Sequence, residues 1–193
     1  MDEFRIATAT DAPSAATTLS QAFENYPWTN WTVAADNRAD RIRRIQELCL
    51  VHIAIPFGVV LVNDTHTAVL AATKPGASEK ISHQVWGDIR AAMGNSPSQD
   101  FPLELPDPEI EDSWSLATIG VSSEAQGQGL GTRIIKHFLQ TLDDASQSPV
   151  PIHLETSDPL NVKLYERLGF RVYATTASSN TPTVWSMQRH QVS

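Results

Sequence analysis

Apolar positions along this chain recur with strand-like and helix-like periods in alternation, dividing it into short strands separated by helices. Phe4 to Ala7 alternates as a first strand. Thr8-Ala-Thr-Asp11 has the spacing of a capping box and predicts a helix from about Ala9 to Phe23. Pro27 disfavours helix at Tyr26, so Asn25 to Trp28 is expected to turn away and lie exposed. Ile42, Ile45, Leu48, Cys49 and His52 recur at three and four, predicting a second helix from Arg38 to Ile55. Phe57 to Val62 and Ala68 to Ala72 read as a hairpin around Asn63-Asp-Thr-His66. Ile81, Val85, Ile89 and Met93 predict a third helix over about Glu79 to Met93. Asn95 to Asp112, rich in Pro and Ser, reads as a loop or short helix with solvated acids.

The most informative pattern runs from Trp114 to Leu142. Trp114 to Val121 carries no charge over eight positions and reads as a buried strand. Leu130, Ile134, Phe138 and Leu142 then mark one face of a helix. Between them lie Gly127, Gly129 and Gly131. Glycine adopts positive φ and admits close approach, so several N–H groups can converge on one anion. The start of the helix adds its own unpaired N–H groups and the positive end of its dipole. Such a turn is a candidate diphosphate cradle made of main chain.

Three ligand classes use such a cradle. A Walker-type loop ends in Gly-Lys-Ser or Gly-Lys-Thr, and this one does not. A dinucleotide loop needs Gly-x-Gly-x-x-Gly, and its third glycine falls here on Thr132 or Ile134, although Glu155 could mimic the ribose-binding acid. What fits is Gln-x-x-Gly-x-Gly, from Gln126 through Gly129 to Gly131. The plain alternative is a strand-to-helix turn with no ligand.

Downstream, Pro151 to Thr156 alternates, with Ile152, Leu154 and Thr156 on one face and His153 and Glu155 on the other. A helical connection from Trp114–Val121 makes these two strands parallel, with a right-handed crossover. Asp158-Pro159 opens a helix that stops at Gly169. Phe170 to Tyr173 and Thr183 to Met187 read as closing strands. Asn161 and Tyr165 are spaced i, i+4, about 5–6 Å apart at Cβ, so both can point at one ligand. Alone, Tyr165 reads more simply as a half-buried aromatic supporting the helix.

Composition narrows the classes. The 193 residues suit one domain with a real core. Twenty-two acidic against 14 basic residues give a net charge of -8, which argues against nucleic acid as a partner. One cysteine, Cys49, forms no internal disulfide and reads as a small core residue. No apolar run approaches the ~20 residues of a membrane span, and there is no signal-peptide pattern, so the expectation is a cytoplasmic protein with no membrane partner. No metal site is assigned, and the oligomeric state is left open.

Together, Gln126-Gly-Gln-Gly-Leu-Gly131, Asn161, Tyr165 and Leu168-Gly-Phe170 resemble the GNAT superfamily of acetyl-CoA-dependent N-acetyltransferases. Within it, Ala22 to Pro27, Leu116 to Val121, Leu154 to Ser157 and Trp185-x-Met187 are similar to the puromycin N-acetyltransferases, while Ala77 to Asp112 matches poorly. The resemblance implies an α/β (α+β) GNAT fold: a mixed, mostly antiparallel sheet with one parallel pair, flanked by helices. It implies acetyl transfer to a primary amine of a small molecule, with an aminonucleoside antibiotic as one acceptor.

Residue by residue, the resemblance gives Gln126, Gly127, Gln128, Gly129, Leu130, Gly131 and Thr132 the diphosphate loop. Ile119, Gly120 and Val121 take the strand edge along which pantetheine pairs, and Asn161 the pantetheine side. Tyr165 takes the general-acid position. Tyr26 borders the acceptor pocket, with Trp28 and Trp31 as further acceptor-loop aromatics. The basic residue frequent in the loop is Gln128 here, which weakens the expected grip on the 3′-phosphate. Glu155, at its strand end, is the candidate base. The rival expectation is a non-catalytic acyl-CoA-binding module on the same fold.

Overall fold

Residues 3–189 of a computed structural model are described. After β1 (Arg5–Ile6), a 3₁₀ turn leads into α1 (Ala12–Phe23), followed by α2 (Pro27–Thr32) and α3 (Arg38–Cys49). The α3 axis continues as a π-helix, Leu50–Ala54, and one further turn, α4 (Ile55–Phe57). Then come β2 (Gly58–Val62), β3 (Ala68–Thr73), α5 (His83–Met93), β4 (Trp114–Val121), α6 (Leu130–Ser146), β5 (Ile152–Thr156), α7 (Pro159–Glu166), β6 (Phe170–Thr176) and β7 (Val184–Arg189). The strands form one sheet in the order β1-β2-β3-β4-β5-β7-β6, antiparallel except for the β4/β5 pair. The expected fold class is the observed one.

The capping box forms as predicted and does more than cap. Asp11 accepts from the Thr8 N–H at 2.8 Å, pairs with Arg5 at 2.7 Å, and meets His66 Nε2 at 2.7 Å. His66 sits in the β2–β3 turn at φ 55°, and its carbonyl accepts from Thr18 Oγ1. The start of α1 is thereby tied to the hairpin.

Two apolar clusters sandwich the sheet. On one side the alanine-rich face of α1 (Ala12, Ala15, Ala16, Leu19) packs with Leu50 against Val60, Val62 and Val69. On the other, Ile134, Ile135 and Phe138 of α6 pack against Leu70, Leu116, Leu154 and Met187. Each fully buried Leu, Ile or Phe contributes about 1.5–3 kcal/mol. β3, in the middle, is buried at every position.

Three expectations need correcting. Asn25 to Trp28 does not run on as an exposed turn: Tyr26 is extended (φ -75°, ψ 132°), as its following proline demands, but Pro27 then starts α2 as an N1 residue. The third helix begins at His83, because Ser82 caps it through the Val85 N–H, and Ile81 is left outside. β4 is only half-buried, with Ala117 exposed, because one edge of the strand borders an open cavity.

Candidate active site

The cavity arises where β4 and β5 part. They pair only at Trp114–Ile152 and Ser115–His153, so from Leu116 to Val121 the β5-facing edge of β4 has no ladder partner. On its other edge β4 pairs with β3 through Val121, with a bulge that skips Ala117. The opening leads to a cavity of about 780 Å³, walled by Ile119, Gly120 and Val121 on one side and Glu155 and Thr156 on the other. Gly120 is placed here by packing as much as by ligand access. A Cβ on it would lie 2.9 Å from Leu19 Cδ2 and Ala22 Cβ of α1.

At the end of β4 the chain makes a 3₁₀ turn, Ser123–Ala125, then the glycine loop, then α6. Gly127 (φ 77°) and Gly129 (φ 74°) use the left-handed region, whereas Gly131 does not and already lies in the helix. The loop closes on itself through side chains. Gln126 Nε2 donates to Val121 O, Gln128 Nε2 donates to Glu124 O, and Arg133 Nη1 donates to Gln128 O. None of the backbone N–H groups from Gln126 to Thr132 has a hydrogen-bond acceptor among the described residues. Backbone donors left unpaired at a helix start are what a diphosphate needs. Arg133, paired with Glu3 at 3.0 Å, lays its guanidinium against this loop as half of an ion pair. In the sequence Arg133 carries no signal of its own, because it falls inside the helix pattern.

Tyr26 is anchored across the opening. Its hydroxyl accepts from the Ser157 N–H at 2.8 Å and lies 2.7 Å from Thr156 Oγ1, while the Trp28 N–H donates to Ser157 Oγ at 3.0 Å. This ties the start of α2 to the β5–α7 connection, where Asp158 caps α7 through the Leu160 N–H. Thr156 and Ser157 were legible in the sequence only as the end of a strand. Trp28 lines the cavity. Trp31 does not: it is buried behind Trp28, with ring centroids 5.0 Å apart, so its expected place in the substrate wall is corrected to support.

Asn161 and Tyr165 both line the cavity from α7. Tyr165 is buried, packs edge-on against Phe170, and has no hydrogen-bond partner for its hydroxyl among the described residues. Burial, reinforced by Tyr26, raises its pKa well above the usual phenol range, so it is protonated at any physiological pH. Glu155 opens to the cavity while protein crowds around its carboxylate, and this loss of solvation raises its pKa. His153, on the same face, is instead engaged by Ser113 Oγ at 2.7 Å, and burial lowers its pKa.

Residues 102–172, from the approach to β4 into β6, match the family model described as an acetyltransferase (GNAT) domain. A solved structure of a histone acetyltransferase HPA2 and related acetyltransferase from Corynebacterium glutamicum superposes with a TM-score of 0.73 at 22% identity, covering 98% of this chain and 96% of that one. The fold is the GNAT fold. The ribosomal-protein-S18-alanine N-acetyltransferase of Escherichia coli shares it at a TM-score of 0.55 and 16% identity, over 100% of this chain and 95% of that one. An uncharacterised N-acetyltransferase of Schizosaccharomyces pombe is 35% identical over 74 residues, 36% of this chain. This chain matches 29% of the length of that curated relative. The segment matched by the GNAT model holds the parting strands, the glycine loop, Asn161 and Tyr165. Tyr26 and Trp28 lie outside it. No helix among the described residues is long and apolar enough to cross a membrane.

Proposed function

We propose that this chain is an acetyl-CoA-dependent N-acetyltransferase acting on a primary amine of a small molecule. The observation that carries the reading is the meeting of three features at one cavity: the loop of unpaired amides, which reaches the cavity at Gln126 and Gly131, an unpaired strand edge from Leu116 to Val121, and the free hydroxyl of Tyr165. The loop amides would hold the diphosphate and the strand edge the pantetheine amides, with Asn161 beside them. Acetyl-CoA, when bound, supplies an activated acetyl group and a thiolate leaving group.

The chain's own residues then manage one proton. An amine is a nucleophile only when neutral, and Glu155, with its raised pKa, is suited to take the proton as the amine attacks. Tyr165 keeps its proton and donates a hydrogen bond toward the departing sulfur. A thiol, with pKa about 8.5, is a stronger acid than Tyr165, so the Tyr165 hydrogen bond would accompany CoA leaving as the thiolate, while Glu155 keeps the amine's proton until solvent takes it. A backbone N–H near Val121 would polarise the acyl carbonyl. Attack is direct, without an acyl-enzyme. We place the activity in the cytoplasm, in keeping with a single cysteine.

A panel of amines that includes puromycin and aminoacyl amides, assayed for released CoA, tests this reading. Turnover with at least one amine is expected. Tight acetyl-CoA binding with every acceptor silent would favour an acyl-CoA-binding module instead. Acetylation of puromycin would add an antibiotic-resistance role.

A further inference from the structure

Resting on the acetyltransferase reading, we infer that the acceptor is a monoamine whose single cationic nitrogen is followed by an uncharged apolar or aromatic body. The cavity extends well past the parting of β4 and β5, under α3 and α5. Its far wall is apolar: Ile45, Cys49 and Ile53 from α3 and the π-helix, Met93 and Trp86 from α5, and Leu105 from the loop before β4. These side chains are not core. On the same helix Ile42, Leu48 and Leu50 are buried, while Ile45, Cys49 and Ile53 are left half-exposed to the cavity, and Trp86 is 40% exposed. Apolar surface held open in a concave site is stabilised only when something apolar covers it.

The π-helix sets this wall. Pro56 has no N–H, and its ring crowds the carbonyl of His52, so the helix widens over Leu50–Ala54. A wider turn shifts the faces of the helix, and Cys49 and Ile53 share the cavity with Ile45 and Gln46. Cys49 is held in an environment apolar enough to push its thiol up to about 11.

Charge decides the rest. Among the described residues the only carboxylic acids on the lining are Glu155 and Asp158, and no Lys, Arg or His lines it. Asp158 is committed to capping α7. Glu155 is therefore the one carboxylate on the lining left for an ammonium. A second ammonium farther along would be buried without a partner, and so would a carboxylate or phosphate on the acceptor. Polyamines, free amino acids and phosphorylated amines are disfavoured. Aryl- and alkylmonoamines, and amino-acid amides with large side chains, are favoured.

The test compares kcat/KM for 2-phenylethylamine, spermidine, phenylalanine and phenylalanine amide, together with the n-alkylamines from ethyl to hexyl. The expected result is at least tenfold preference for 2-phenylethylamine over spermidine and for phenylalanine amide over phenylalanine. The alkyl series should gain two- to fourfold per methylene. In Ile53→Trp, KM for 2-phenylethylamine should rise tenfold or more, with acetyl-CoA affinity unchanged within twofold. A flat alkyl series on the unaltered protein, or spermidine as the better substrate, overturns the inference while leaving the acetyltransferase reading intact. Silence toward every amine, with acetyl-CoA bound or not, overturns both.

Discussion

Tyr165 and Glu155 both line the cavity, and their surroundings act on them differently. Tyr165, shut away from water, holds its proton, whereas Glu155, crowded but reachable, is pushed toward neutrality. Tyr165→Phe keeps the packing against Phe170 and removes only the donor. It should lower kcat by about 10²-fold, within the range for a positioned acid, with acetyl-CoA affinity unchanged by calorimetry. Unchanged turnover would remove Tyr165 from the chemistry. For Glu155 the sign follows from its raised pKa. The carboxylate form that accepts a proton is lost as pH falls through that value, so wild-type kcat/KM should show two acid-limb steps, one from Glu155 and one from the amine. Glu155→Gln should be about 10²-fold slower and keep only the amine's step. A pH profile with both steps intact in the variant would contradict the assignment. Both residues were legible from position, Tyr165 by its i, i+4 partner Asn161 and Glu155 by its strand end. Their protonation states were not, because burial is a property of the assembled fold.

The glycine loop and β4 form one working unit, and their glycines have different duties that sequence spacing treats alike. Gly127 and Gly129 are left-handed, which costs an L-residue about 1–2 kcal/mol. Gly131 is helical, and a Cβ there would meet only Val121 Cγ2 at 3.7 Å. Gly127→Ala and Gly129→Ala should therefore lose acetyl-CoA affinity and some stability. Gly131→Ala should fold as well as wild type or better, since alanine is favoured in a helix by about 1 kcal/mol. Thermal melts with and without acetyl-CoA separate the three, and equal losses in all of them would mean the spacing, not the backbone conformation, matters. Gly120→Ala should destabilise by about 1–3 kcal/mol through its clash with α1. The β4-loop-α6 unit was legible because all its signals are local. The parting of β4 from β5, the bulge at Ala117 and the π-widened helix were not, since they depend on which strand or proline lies opposite.

At the scale of the whole molecule, a sheet in which β4 and β5 part must be held elsewhere, and the start of the chain does part of that holding. Arg5, the Thr8 N–H and His66 together lower the pKa of Asp11 far below the usual carboxylate range. Its contribution to stability is full above the unfolded carboxylate pKa of about 3.9 and is lost as pH falls toward the native value. Asp11→Asn should lower stability at pH 7 by about 2 kcal/mol, through the lost cap and hydrogen bonds, and flatten the acid side of the stability profile in urea melts. An unchanged acid transition would show that the cluster is not a fastening. The capping box was legible in Thr8 and Asp11, but not the long-range arrival of His66. The claim on which the molecule's function turns is that the amides between Gln126 and Thr132 receive the donor's diphosphate. Residue-resolved amide hydrogen exchange with and without acetyl-CoA tests it directly: slowed exchange is predicted at those amides and along Ile119 to Val121. Protection confined to other segments, or none at saturating acetyl-CoA, would contradict it.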